Sequence, residues 1–266
     1  MDSAFFETMF REATVTVTDY FLFAATAFLV FYFLLRNVLA RRKIQKRFPK
    51  LKDYGRDIFF SLVTVAIFGA VSGVTYYSLW DYTTLYKESW DQYGVGYYLL
   101  TFVWMIFLHD TYFYWVHRLM HTKWLYSHVH KVHHLSTNPS PWTAYAFHPL
   151  EAILEAGILP LIAFTLPVHA SAIAAFFFFQ IAYNVYGHLG YELYPKGFHK
   201  TAIGKYINTS VAHNLHHSRF TGNYGLYFLI WDRLMGTLRE DYDEVFEATT
   251  GSRPLPVNSA GSRPGT

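Results

Sequence analysis

The sequence predicts an all-α, multi-pass membrane protein: about three spanning helices, a Pro-interrupted helical hairpin, and a cytoplasmic-side helical cap. Three observations carry this. Of the 266 residues 52% are apolar and only 15% charged, a balance expected of chains that live in lipid. Uncharged runs near the length of a bilayer crossing recur along the chain. The basic residues concentrate in one loop between two of those runs, as the positive-inside rule places them.

The N-terminal stretch MDSAFFETMFREA carries acids and lacks the basic start of a secretory signal. The first apolar run is therefore expected to be retained. Residues 20–35 have no charge, and with 16–19 in front they supply the roughly 20 residues of a spanning helix. Residues 36–56 hold nine Lys or Arg against one acid. Such a run can bind nucleic acid, but between two apolar runs it reads as a cytoplasmic loop, and no nucleic-acid partner is expected. Residues 58–80 form a second uncharged run, 81–91 a loop of mixed charge, and 92–108 a third run that flows into His109 and Asp110. With the basic loop inside, the second run exits and the third re-enters.

Residues 156–187 are uncharged apart from His169, and Pro160 and Pro167 interrupt them. Proline inside a helix breaks or kinks it. The expectation is two helices, 150–166 and 169–187, that enter and return as a hairpin. All histidine clusters then share the cytoplasmic side. Residues 1–247 read as one membrane-embedded domain with a histidine-bearing core at about 95–240. Residues 248–266, rich in Gly, Pro and Ser, read as a disordered tail.

The chain has no cysteine, which excludes disulfides, thiolate metal sites, iron–sulfur clusters and Cys nucleophiles. A metal must use His, Asp, Glu or backbone oxygen. HKVHH at 130–134 and HNLHH at 213–217 both read His-x-x-His-His, and HDTYFYWVHRLMH at 109–121 precedes them. Residues three and four apart share a helix face. Each cluster can thus aim two or three of its imidazoles at one point: from His117 and His121, then from His130, His133 and His134, then from His213, His216 and His217. Asp110 lies two turns before His117. Neutral imidazole is a common metal ligand, and eight of them exceed what a four-coordinate ion needs. Two ions are indicated, and ligand softness leaves Zn, Cu, Fe and Ni open. A His-rich metal transporter is the alternative of a different class. It predicts ligands near the bilayer midplane, whereas these cluster at the membrane edge. A bis-His membrane cytochrome is a weaker rival.

These residues, with AFHPLE at 146–151 and HNLHHSRFTGNYG leading to WDRLMGT, resemble the fatty acid hydroxylase/sterol desaturase superfamily of membrane di-iron enzymes. Sterol C-5 desaturases are the members closest in look, and sterol C-4 methyl oxidases share much of the pattern. The resemblance implies two iron ions held by His117, His121, His130, His133, His134, His213, His216 and His217. It implies a ninth ligand that His188 fits, and a tenth place for His148, Glu192 or a water. It gives His109 and Asp110 a supporting role, and Asp232 is a candidate hydrogen-bond partner of a ligating His. O2 is the implied co-substrate and a lipid C–H the target, with desaturation or hydroxylation as the outcome. Sterol is the leading lipid; fatty acyl, sphingoid and carotenoid lipids remain open.

The chain lacks a dinucleotide glycine fingerprint and a second domain for haem, so neither haem nor flavin is expected in it. Electrons are then expected from a cytochrome b5 or ferredoxin type of donor, and loop 36–56 is a candidate dock. Neither a dilysine nor a KDEL-type signal ends the sequence, so endoplasmic reticulum and bacterial inner membrane stay equal expectations. His128 reads as a membrane-interface histidine, with a place behind the ligands as the alternative; His169 and His199 read as structural or incidental, and the FFFF run at 176–179 as lipid-facing. Arg219, Asn223 and Tyr224 read as a turn, or as groups that orient ligands or bind a polar group of the substrate.

Overall fold

The computed structural model describes residues 3–251, and among them every regular element is helical. Four helices are long and apolar enough to cross a membrane: α1 (Ser3–Leu34), α2 (Leu51–Ser78), α3 (Val95–Met120) and α7 (Ala170–Gly187). Their apolar windows are at most 39% buried within the protein, so most of each hydrophobic surface needs lipid to cover it. Leu62, Leu99, Leu100 and Phe107 are among the exposed side chains. Shorter helices follow: α4 over residues 123–134, α5 (Pro149–Ala156), α6 (Ile158–Ala163), α8 (Ser210–Arg219), α9 (Ile230–Leu234) and α10 (Tyr242–Thr250).

The expected hairpin differs in its first arm. That arm breaks at Gly157 into α5 and α6 and does not form one spanning helix. Pro160 has no N–H and its ring crowds the carbonyl four residues back, at Ala156. Tyr112 of α3 fills the break, its hydroxyl donating to the Leu154 carbonyl at 2.6 Å. A side chain at Gly157 would collide with that hydroxyl. The FFFF run is likewise not all lipid-facing. Phe176 is fully buried in a cluster with Met105, Ile162 and Ile173, while Phe178 stays exposed. At the C-terminus α10 runs to Thr250, so residues 248–250 of the expected tail are helical, and residues 252–266 lie outside the described residues.

Helices α1 and α2 approach closely because α2 carries Gly69 and Gly73 at the contact. A Cβ on Gly69 would come within 2.8 Å of both Ala13 Cβ and the Met9 carbonyl. Small residues four apart let spanning backbones touch and gain dispersion contact where lipid offers no hydrophobic drive.

The basic loop folds back on the histidine-bearing end. The Ile44 N–H donates to the Gly190 carbonyl, and the Glu192 N–H to that of Arg42, both at 3.0 Å. Gln45 donates to Thr137 O and Asn214 Oδ1. Lys43 is buried, its ammonium 5.1–5.3 Å from the ring centres of Tyr32, Phe48 and Tyr191. A desolvated cation ringed by π faces is held by their quadrupoles. Loop and histidines therefore share one end of the helix bundle.

Candidate metal centre

His117 occupies the last turn of α3 and His121 is its C-cap. In α4 a π turn, Tyr126–His130, passes into an α turn, Lys131–His134. Helix α8 starts inside the protein, so its first N–H groups need partners there. Thr209 Oγ1 accepts from Ala212 N, Glu192 Oε2 from Val211 N, and Tyr186 Oη from Ser210 N. Glu192 is thereby consumed as a cap.

Nine imidazoles gather in two groups: His117, His121, His130, His134 and His216, then His133, His188, His213 and His217. Eight are buried and His121 nearly so. Each motif sends two of its imidazoles to one group. The residues four apart, His130 with His134 and His213 with His217, stay together. The middle histidines cross over: His133 leaves its own motif for the second group, and His216 leaves its motif for the first. The cause is helical rotation. Neighbours on a helix of 3.6 residues per turn diverge by about 100°, so His133 and His134 cannot face one point.

Within the first group the closest Nε2 pairs lie 3.0–3.2 Å apart. In the second group they lie 2.9–3.3 Å apart. Two nitrogens bound at about 2.1 Å, as imidazole binds a divalent metal, are roughly 3.0 Å apart at a right angle and 3.4 Å at a tetrahedral one. The spacing fits shared metals.

Five Nδ1 atoms point away from the cluster to oxygen acceptors: His117 to Tyr224 O, His130 to Glu151 Oε1, His216 to Gly222 O, His217 to Ser136 O and His188 to Asn184 O, at 2.6–3.0 Å. A proton on Nδ1 leaves Nε2 as a bare lone pair. Several lone pairs facing one another without water repel, and a cation reverses that sign. Burial, with the His117 imidazole second, pushes the His121 pKa down to about 2. Burial pushes His188 to about 4, and holds His130, His133, His134, His213, His216 and His217 well below the ordinary value. They are neutral, the form that ligates.

The groups behind the imidazoles come from four places. Glu151 of α5 takes the His130 N–H at 2.6 Å. Metal on Nε2 selects Nδ1–H and the ionised carboxylate, a charge that burial alone opposes. Asp232 touches no histidine: it accepts from Tyr224 N, Gly225 N and Thr237 Oγ1, and so fixes the loop whose Tyr224 carbonyl holds His117. Asp110 accepts from Tyr227 N and Phe228 N, and His109 meets the Tyr227 hydroxyl at 3.0 Å. Both tie α3 to the loop after α8 without reaching an imidazole. Gly222 turns that loop at φ +77°, where a Cβ would meet the Thr237 carbonyl, and this aims its own carbonyl at His216. His148 caps α5 through Leu150 N and joins neither group. With Glu192 a cap, neither proposed tenth ligand sits in either group.

Sequence reasoning passed over Glu151 and Asp57. Glu151 stands in the quoted AFHPLE but offers no periodic signal of its own. Glu151→Gln keeps the shape and removes the charge, and is expected to weaken metal binding by about 10–100-fold. Chelator competition on the purified protein measures it.

A cavity of about 580 Å³ opens among α1, α2, α3, α5, α6 and α7, within the range of small-molecule sites. Its inner end carries Phe113, Phe147 and Asn184. Phe113 lies 4.9 Å ring to ring from His117, and Phe147 5.1 Å from His133. The cavity therefore ends against both groups. Arg11, Glu12, Tyr76 and Lys87 line its far mouth.

A model of the fatty acid hydroxylase family matches residues 102–237. A Delta(7)-sterol 5(6)-desaturase of Gibberella zeae is 32% identical over 166 residues, 62% of this chain and 45% of that protein. A lathosterol oxidase of Rattus norvegicus is 29% identical over 229 residues, 83% of this chain and 71% of that protein. The corresponding Homo sapiens enzyme is 27% identical over 245 residues, 87% and 77%. The chain spans less than half the length of the Gibberella relative it matches. No solved structure matches it.

Proposed function

Because this chain belongs to the fatty acid hydroxylase family, we propose that it is a membrane oxidoreductase that uses O2, two irons and external electrons to introduce a double bond into a sterol. The observation that carries the reading is the pair of all-imidazole groups at the inner end of an apolar cavity. Iron bound there supplies O2 activation and the removal of hydrogen from an unactivated carbon. The protein's own residues do the rest. His117, His121, His130, His134 and His216 hold one ion, and His133, His188, His213 and His217 the other. Glu151 and the carbonyls of Ser136, Asn184, Gly222 and Tyr224 fix the rings. Phe113 and Phe147 exclude water where the substrate meets the metals. The relatives are named for desaturating Δ7-sterols at carbons 5 and 6 or oxidising lathosterol, and the same reaction class is assigned here. Hydroxylation is the second reading, favoured by the family description; which one results depends on where the substrate's carbons stand.

By the positive-inside rule the basic loop, and with it the metal end, faces the cytoplasm. The exposed Arg41, Lys46, Arg47 and Lys50 then present a basic surface to an acidic electron carrier of the cytochrome b5 or ferredoxin type.

The test is twofold. Metal analysis of the purified chain is expected to find two irons. Lipid mass spectrometry of cells with and without the chain is expected to find a sterol lighter by two hydrogens. Loosely held zinc, unchanged lipids and metal uptake into vesicles carrying the protein would instead establish a transporter.

A further inference from the structure

We propose that Glu155 is the hydrogen-bond partner of the sterol's hydroxyl, an inference that rests on the sterol reading above. Five side chains lining the cavity are both polar and buried: His109, Tyr145, Glu155, Gln180 and Asn184. Four have work within the protein. His109 meets Tyr227 Oη, Tyr145 donates to Gln180 Oε1, and Asn184 donates to Ala144 O. Glu155, only 8% exposed, has no side-chain hydrogen bond among the described residues. Its oxygens are not sealed off as the second oxygen of Glu151 is, so they open on the cavity, and a buried residue whose polar group has no protein partner calls for an explanation. A bound hydroxyl supplies it.

Position favours Glu155 over the other charges of the cavity. Glu151 and Glu155 are one turn apart on α5, roughly 6 Å along the axis. Glu151 touches the outer nitrogen of His130, so Glu155 stands one turn of α5 from a residue that contacts a member of the first group. A sterol's oxygen on carbon 3 is three bonds from carbon 5 and four from carbon 6, hence within roughly 5 Å of either. Its partner must stand that close to the reacting carbons. The far mouth fails this requirement. Tyr76 there is 19 residues along α2 from Asp57, which contacts Ser136 beside the second group, a distance of roughly 28 Å. The sterol therefore lies with its hydroxyl toward the metals and its alkyl tail toward Arg11 and Lys87.

The test is binding, read without turnover. The full-length chain, purified and loaded with redox-inert zinc, is titrated with lathosterol and with 5α-cholest-7-ene, which lacks only the hydroxyl. The wild type is expected to prefer lathosterol by about tenfold, the worth of one good hydrogen bond. Glu155→Leu is expected to abolish that preference by weakening lathosterol alone, whereas Glu155→Gln retains most of it. Glu155→Met gives the same readout should the leucine variant misfold. A tenfold preference surviving in Glu155→Leu or Glu155→Met overturns the anchor and leaves the sterol reading standing. Failure of the wild type to bind either sterol overturns the sterol reading and the anchor with it.

Discussion

The double variant His133→Ala/His134→Ala is expected to lose both metal ions, whereas His133→Ala/His213→Ala is expected to lose only one. The first pair are sequence neighbours in one motif but belong to different groups. The second pair lie 80 positions apart and share a group. Removing a direct ligand should weaken binding at its own group by more than the 10–100-fold typical of an outer partner. The first group keeps its five imidazoles in the second variant and loses one of them in the first. Metal counts per chain by elemental analysis decide. If the two double variants lose ions in the opposite pattern, each motif serves a single ion and the crossed arrangement is wrong. Activity is expected to vanish in both, since one ion cannot replace the pair.

Asp57→Leu is expected to destabilise the protein by about 2–6 kcal/mol, because it strands the buried Ser136 and Thr143 hydroxyls, each unsatisfied donor costing about 1–3 kcal/mol. Asp57 sits near the start of α2, 3% exposed. It accepts from Ser136 Oγ, Thr143 Oγ1 and the Arg56 guanidinium at 2.7–2.9 Å. Leucine leaves Arg56 with Asp53 and Ser136 but takes the acceptor from Ser136 and Thr143 and frees the turn at 136–143. Because the Ser136 carbonyl orients His217, the second group should weaken before the first. A lowered melting temperature with loss of one ion ahead of the other is the expected signature. An unchanged melting profile would remove Asp57 from the support of the site. Asp57→Asn, which keeps an acceptor, is expected to lie between.

Much of this was legible in the sequence for physical reasons. Spanning helices must be long and uncharged, so α1, α2, α3 and α7 stand out in composition alone. The histidines stand out because so many imidazoles seldom gather by chance. The sorting into groups was less legible because a shared face is a coarse statement. Residues i+3 and i+4 both lie near i, yet they differ from one another by a quarter turn or more, and only packing decides which way each looks. Asp57 was hidden because an acid beside a basic loop reads as solvated. Its role depends on Ser136, 79 residues away. The break at Gly157 depends likewise on Tyr112 from another helix. Asp232 was expected beside a ligand and instead holds the backbone that holds the ligand, a step that spacing cannot reveal.

The crossed histidines have a mechanical consequence. Both groups, among the described residues, are built of imidazoles alone, and α4 and α8 each contribute to both. The interval between two ions held there would therefore be set by the girth of these two helices. Whatever small molecule enters between them meets a gauge that stays constant unless a helix bends.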